Sequence, residues 1–134
     1  MRGAATETRE EAVPEWKVLS ASTIKSDNVR NPQGEDLGKI EELMIDIEEG
    51  RIAYAVLSFG GFLGLGDKYF AIPWEALRIA PHEHRFILDV PKERLENAPG
   101  FDKDNWPSAA NREWLTGVYS HYGYEPYWER RRER

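Results

Sequence analysis

Arg51-Ile52-Ala53-Tyr54-Ala55-Val56-Leu57-Ser58-Phe59, running straight into Gly60-Gly61-Phe62-Leu63-Gly64-Leu65-Gly66, is the stretch whose reading decides the fold. In an extended chain Ile52, Tyr54 and Val56 lie on one face and Ala53, Ala55, Leu57 and Phe59 on the other, because side chains alternate with a period of two. Neither face is polar enough for open water, so this strand is expected inside a sheet with both faces covered. Gly60, Gly61, Gly64 and Gly66 read as a structural turn. Their spacing departs from G-x-G-x-x-G, Asp67-Lys68 stands where a phosphate loop needs Lys and then Ser or Thr, and a strand follows where anion binding would need a helix N-terminus.

Upstream, Asp36 to Ile47 mixes helical and strand periodicity, and the flanks favour a strand: Gly38 weakens a helix interior, and Glu48-Glu49-Gly50 leads directly into the next strand as a hairpin turn would. Asn31-Pro32-Gln33-Gly34 has proline where a type I turn pre-sets φ and glycine at its close, which places a reversal after a short strand at Asn28 to Arg30. Downstream, Lys68 to Pro73, Leu77 to Ala80 and Arg85 to Val90 are further short strands. Closely spaced strands with tight turns predict a mainly β fold, a small, highly curved antiparallel β-barrel, since closure removes exposed sheet edges. Pro73 and Trp74 are expected to plug that barrel. Pro91 to Leu95 reads as a brief helical turn. From Ser108 as N-cap, Ala110, Trp114, Val118 and Tyr122 recur every four residues as the stripe of a C-terminal helix that Gly123 ends. The expected organisation is a disordered leader over residues 1–15, the barrel over 16–98, an aromatic-rich connector and helix over 99–128, and an Arg-rich tail over 129–134.

The bulk properties narrow the function. With 40% hydrophobic and 31% charged residues and a mean hydropathy of −0.68, the chain reads as one globular domain with a soluble surface. It has no apolar run long enough to cross a bilayer and no apolar signal segment near Met1, so a cytoplasmic location is expected. The absence of cysteine excludes thiolate nucleophiles, disulfides and Cys-ligated metals. A net charge of −6 opposes nonspecific binding to nucleic acid.

Few residues are arranged for chemistry. His82 and His84 share a strand face, but Pro81 and their charged flank suggest a solvent turn, and His121 is the remaining histidine. Glu42, Asp46 and Glu48 invite a carboxylate pair or a calcium site, yet read better as a solvated face, because a catalytic pair needs a pocket that raises one carboxyl pKa. No serine stands in a nucleophile elbow. No enzyme, cofactor or metal is expected. Apolar Phe62, Leu63 and Leu65 at the glycine turn either meet a partner or cap the barrel themselves, and with Trp114, Val118 and Tyr122 on the helix they are the candidate partner-binding residues. The end from Tyr124 to Arg134 combines aromatics with arginines, and is expected to be a solvated tail rather than an RNA-binding one.

Taken in order, Val29 to Ile40, Met44-Ile45-Asp46, Gly50 to Val56, the turn Gly60 to Gly66 and Ala71-Ile72-Pro73-Trp74-Glu75-Ala76-Leu77 resemble the PRC-barrel family. That module is shared by the cytoplasmic part of the photosynthetic reaction-centre H subunit and the C-terminal domain of the ribosome-maturation factor RimM, and this sequence looks most like the stand-alone prokaryotic type. The resemblance spans Trp16 to Val90. It lacks the spanning helix that precedes the barrel in the H subunit and the N-terminal domain of RimM. It implies a non-enzymatic adaptor that docks on a larger assembly and self-associates, with a homodimer expected. An RNA- or ribosome-associated factor is the first alternative, and a cation- or proton-binding surface at the acidic strand the second.

Overall fold

The computed structural model describes residues 18–59, 68–80, 85–102, 104–108 and 111–131. The expected leader, the glycine turn with Phe62, Leu63 and Leu65, His82 and His84, Ala110 and the last three residues lie outside the described residues. A short helix α1 (Ala21–Ile24) precedes β1 (Asn28–Arg30), β2 (Asp36–Asp46), β3 (Arg51–Phe59) and β4 (Lys68–Pro73). A 3₁₀ turn at Trp74–Ala76 leads to β5 (Leu77–Ala80) and β6 (Arg85–Leu88), followed by α2 (Lys92–Glu96), β7 (Gly100–Phe101), α3 (Arg112–His121) and α4 (Tyr127–Arg131).

The seven strands form one sheet in the order β5-β6-β1-β2-β3-β4-β7. As its composition requires, β3 has a neighbour on each edge and is buried continuously from Ala53 to Phe59. Three irregularities bend the sheet, each caused by one extra residue opposite its partner strand: Leu37 against β1, Glu41 against β3, and Ala53 on β3 against β2. At the first of these, Gly38 takes φ +106° so close to β3 that a Cβ built on it would lie 2.1 Å from the Ser58 carbonyl oxygen. Only a residue without Cβ fits there.

Two expectations are corrected. The sheet is not wholly antiparallel, since β1 and β6 run parallel, with Asn28 beside Arg85 and Arg30 beside Ile87. Four strands of chain separate the two, so the return path fixes their direction, whereas hairpin reasoning covers only sequence neighbours. The strand order also ends at β5 on one side and β7 on the other, and no pairing joins them among the described residues. Between β1 and β2, Gly34 N–H donates to the Asn31 carbonyl (2.9 Å), closing the expected turn. Buried Asn31 is satisfied locally and donates to the Val90 carbonyl (3.2 Å), which ties this turn to the chain beyond β6.

The C-terminal segment covers one face of the sheet. Helix α3 begins at Arg112, not after Ser108, because the Asn111 side chain accepts the Trp114 N–H (2.8 Å). Its buried stripe is Leu115, Val118, Tyr119 and Tyr122. Residues four apart drift by about 40° per step around a helix, so Trp114 of the expected series falls on the half-buried flank while Val118 and Tyr122 stay on the core face, joined there by Leu115 and Tyr119. The expectation of a solvated end is likewise corrected, since Tyr127–Arg131 is helical and Tyr127 and Trp128 are buried against Tyr119 at ring separations of 6.1 and 5.7 Å. Burial of two large rings outweighs the solvation of the arginines beside them.

Candidate docking site

The far end of the β2–β3 hairpin projects beside the C-terminal helices. Its turn is held by Asp46, whose carbonyl accepts the Gly50 N–H (2.8 Å) and whose carboxylate accepts the Glu49 N–H (3.0 Å). Between this tip and α3–α4 opens a cleft of about 550 Å³, walled by Met44, Tyr54, Leu115, Tyr127 and Trp128. On the solvent side of its rim Ile45 is 53% and Ile47 86% exposed. These are two large apolar side chains, one near the end of β2 and one at the start of the turn that follows it.

Asp46, Arg51 and Arg112 at the cleft each have a contact within the molecule. The Tyr127 hydroxyl donates to Asp46 (2.5 Å), and this bond, more than any other contact, holds the Asp46 carboxyl below the usual carboxylate range. Burial, followed by the same bond to Asp46, pushes the Tyr127 hydroxyl well above the usual phenol range. The Arg51 guanidinium lies 4.1 Å from the Tyr127 ring centroid and that of Arg112 5.2 Å from the Trp128 ring centroid. Beneath the cleft, the carbonyl of Ala53 is turned out of the ladder by the bulge and accepts the buried Tyr119 hydroxyl (2.7 Å). Desolvation raises Tyr119 to about 12. Burial likewise raises Tyr122, whose hydroxyl has no hydrogen-bond partner among the described residues.

Of the acidic residues, Asp46 and Glu48 line the cleft, and Asp46 is the one hydrogen-bonded to Tyr127. Glu42 lies 3.3 Å from the Lys25 ammonium at the other end of β2, and Glu48 is exposed in the turn. The three do not converge. An ionised, hydrogen-bonded Asp46 is the reverse of a carboxyl raised to act as an acid. Among the described residues no three His, Asp or Glu side chains are gathered in a metal-holding cluster. Of the helical candidates, Val118 is 2% and Tyr122 9% exposed, both packed in the chain's own core, while half-buried Trp114 meets Tyr54 and Phe101 at 5.6 and 6.1 Å. Pro73 is fully buried and half-buried Trp74 packs on Phe86 at 5.9 Å. Sequence reasoning missed Ile45 and Ile47 as contacts. Their signal was present in the continued apolar alternation Leu43, Ile45, Ile47 into a turn where no strand remains to cover it.

No helix of the described residues is long and apolar enough to cross a membrane. No curated protein matches the chain. Among solved structures, one described as the 16S ribosomal RNA processing protein RimM of Pseudomonas aeruginosa is similar at 17% identity and a TM-score of 0.40, over 60% of this chain and 50% of that one. The chain thus spans about half the length of that protein. The profile of the PRC-barrel domain matches residues 17–95, from the residue before Val18 through buried Leu95 of α2, and takes in β1 to β6 with the bulges that bend them. With more than half its length matched in this way, the chain belongs to the PRC-barrel domain family.

Proposed function

We propose that this chain is a non-enzymatic docking module whose contact surface is the tip of the β2–β3 hairpin. The observation that carries this reading is the exposure of Ile45 and Ile47, 53% and 86%, on the rim of a cleft whose Asp46, Arg51 and Arg112 already have contacts within the chain. Apolar surface without reactive groups suits a binding partner better than a substrate. Leu63 and its neighbours in the glycine turn remain a second proposed contact for self-association, outside the described residues. Nothing among the described residues favours the RNA-binding alternative, because Arg130 is held in a two-point bond by the Glu75 carboxylate (2.6 and 3.1 Å).

Site-specific photocrosslinking in the producing cell tests the reading. A benzophenone side chain at Ile47 is expected to capture a discrete polypeptide that the same group at exposed Glu93 on α2 does not, and Ile45→Asp is expected to abolish that product. No product from Ile47, or equal products from both positions, refutes it.

A further inference from the structure

The two edges of β2 are filled unequally. Strand β3 pairs it from Lys39 to Asp46, but β1 covers only Asp36 to Lys39. Two more backbone bonds close the β1 side, Ser26 N–H to the Ile40 carbonyl (2.7 Å) and Ile40 N–H to the Asp27 carbonyl (3.0 Å). There the chain leaves the ladder. Ser26 has φ +80°, the one non-glycine residue with positive φ among those described, a conformation retained where surrounding structure imposes it. Upstream of it, the backbone bonds of α1 stay local, from Thr23 and Ile24 N–H to the Ser20 carbonyl. Among the described residues, then, the β1 side of Glu41 to Asp46 has no strand against it. Leu43 N–H is met by the Glu42 carboxylate (3.2 Å), a side chain standing where a neighbouring strand would place a carbonyl. Ile45 turns its backbone the same way, two residues on.

Resting on the docking role above, we propose that the occupant is an extended segment of another protein, bearing lysine or arginine at alternate positions, which adds as a strand to the open edge of β2 from Glu41 to Ile47. Charge selects it. Residues Glu41 to Glu49 include five carboxylates and no lysine or arginine. A second copy paired edge to edge would set two such segments about 5 Å apart, like charge opposite like charge, and nucleic acid meets the same repulsion. A basic strand meets none of it. Its ammonium groups engage exposed Glu41 and Glu48, since Glu42 is already paired with Lys25, while its carbonyl takes the Leu43 N–H and its apolar side chains cover Ile45 and Ile47. This is strand addition, with main-chain bonds supplying affinity and alternate side chains supplying selectivity.

The probe is a synthetic peptide of about eight residues alternating lysine and valine, titrated into the full chain and followed by amide NMR and hydrogen exchange. The Leu43 and Ile45 amides are expected to shift and to gain at least about tenfold exchange protection at saturation. Raising the salt from about 50 mM to about 300 mM is expected to weaken binding about tenfold. The glutamate–valine counterpart is expected not to bind. Replacing two exposed residues, Glu41→Lys with Glu48→Lys, is expected to weaken binding at least about tenfold while the other resonances stay in place. Absence of binding at about 1 mM peptide, or shifts confined to the Arg112–Tyr127 cleft, overturns strand addition. Protection of Leu43 and Ile45 that grows with protein concentration alone also overturns it, by making a second copy the occupant. A crosslink from Ile47 together with a null titration removes strand addition and leaves the docking module standing, whereas failure of both removes the module as well.

Discussion

Replacing Gly38 with alanine tests whether the close passage of β2 over β3 is what bends the sheet. The added Cβ would start 2.1 Å from the Ser58 carbonyl oxygen and 3.0 Å from its carbon. Reaching ordinary contact requires about 1 Å of separation between the strands at the Lys39–Ser58 pair, which loosens one or two ladder bonds worth about 1 kcal/mol each. The φ of +106° adds about 1–3 kcal/mol of backbone strain for any residue with a Cβ. The sum is about 2–5 kcal/mol. Against a total stability of about 5–15 kcal/mol this is a substantial fraction, and it lowers the Tm by about 10–20 °C. Urea denaturation followed by circular dichroism reads the loss through the midpoint, with the slope unchanged. Gly34→Ala is the internal comparison, since Gly34 has φ +88° but nothing within 4 Å of the added atom, so it carries strain without collision. If Gly38→Ala costs no more than Gly34→Ala, the collision is absent and the account of the bend is wrong.

Four further outcomes follow from the C-terminal face. Tyr119→Phe should cost about 1–2 kcal/mol in urea unfolding because it leaves the Ala53 carbonyl buried without its donor, while Tyr122→Phe, removing a hydroxyl that has no partner among the described residues, should be neutral or slightly stabilising. The Asp46 carboxyl is lowered in the folded state, so it adds stability above its unfolded pKa of about 3.9, lost as the pH falls through the folded value; Tyr127→Phe should make the acid limb shallower. At the other end of the scale Tyr54, Tyr119, Tyr122 and Tyr127 are all raised, so their contribution is full below the unfolded value of about 10 and is lost as the pH climbs through the folded ones; ultraviolet titration should show these four ionising late, together with unfolding. Trp128→Ala should cost about 3 kcal/mol, whereas Arg130→Ala, which breaks a half-exposed pair with Glu75, should cost under about 1 kcal/mol.

Strand positions were legible because period-two apolar patterning, Pro32, Gly34 and Gly50 speak to local backbone, and β3 follows its composition throughout. The parallel β1–β6 pair was not legible, since alternation says which face a residue takes and nothing about which distant strand lies beside it. Asn111 prevailed over Ser108 as cap because both residue types suit the position and the buried stripe beginning at Leu115 decides between them. The cleft eluded sequence reasoning for a related reason. Asp46 and Arg51 come from the hairpin while Arg112, Tyr127 and Trp128 come from the far end of the chain, and the charged run after Trp128 disguised the burial of the rings before it.

The three-residue strand β1, clasped between β2 and β6, also dictates an order of assembly during synthesis. Strands β2, β3 and β4 can zip to their neighbours as they leave the ribosome, whereas Asn28–Arg30 holds half of its ladder vacant until Arg85–Leu88 has emerged. Tyr119, Tyr127 and Trp128 arrive later still. A nascent chain stalled anywhere before Arg85 therefore presents Val29 and its vacant edge to proteases and chaperones, so that translation speed through the second half of the message sets how long the protein is vulnerable.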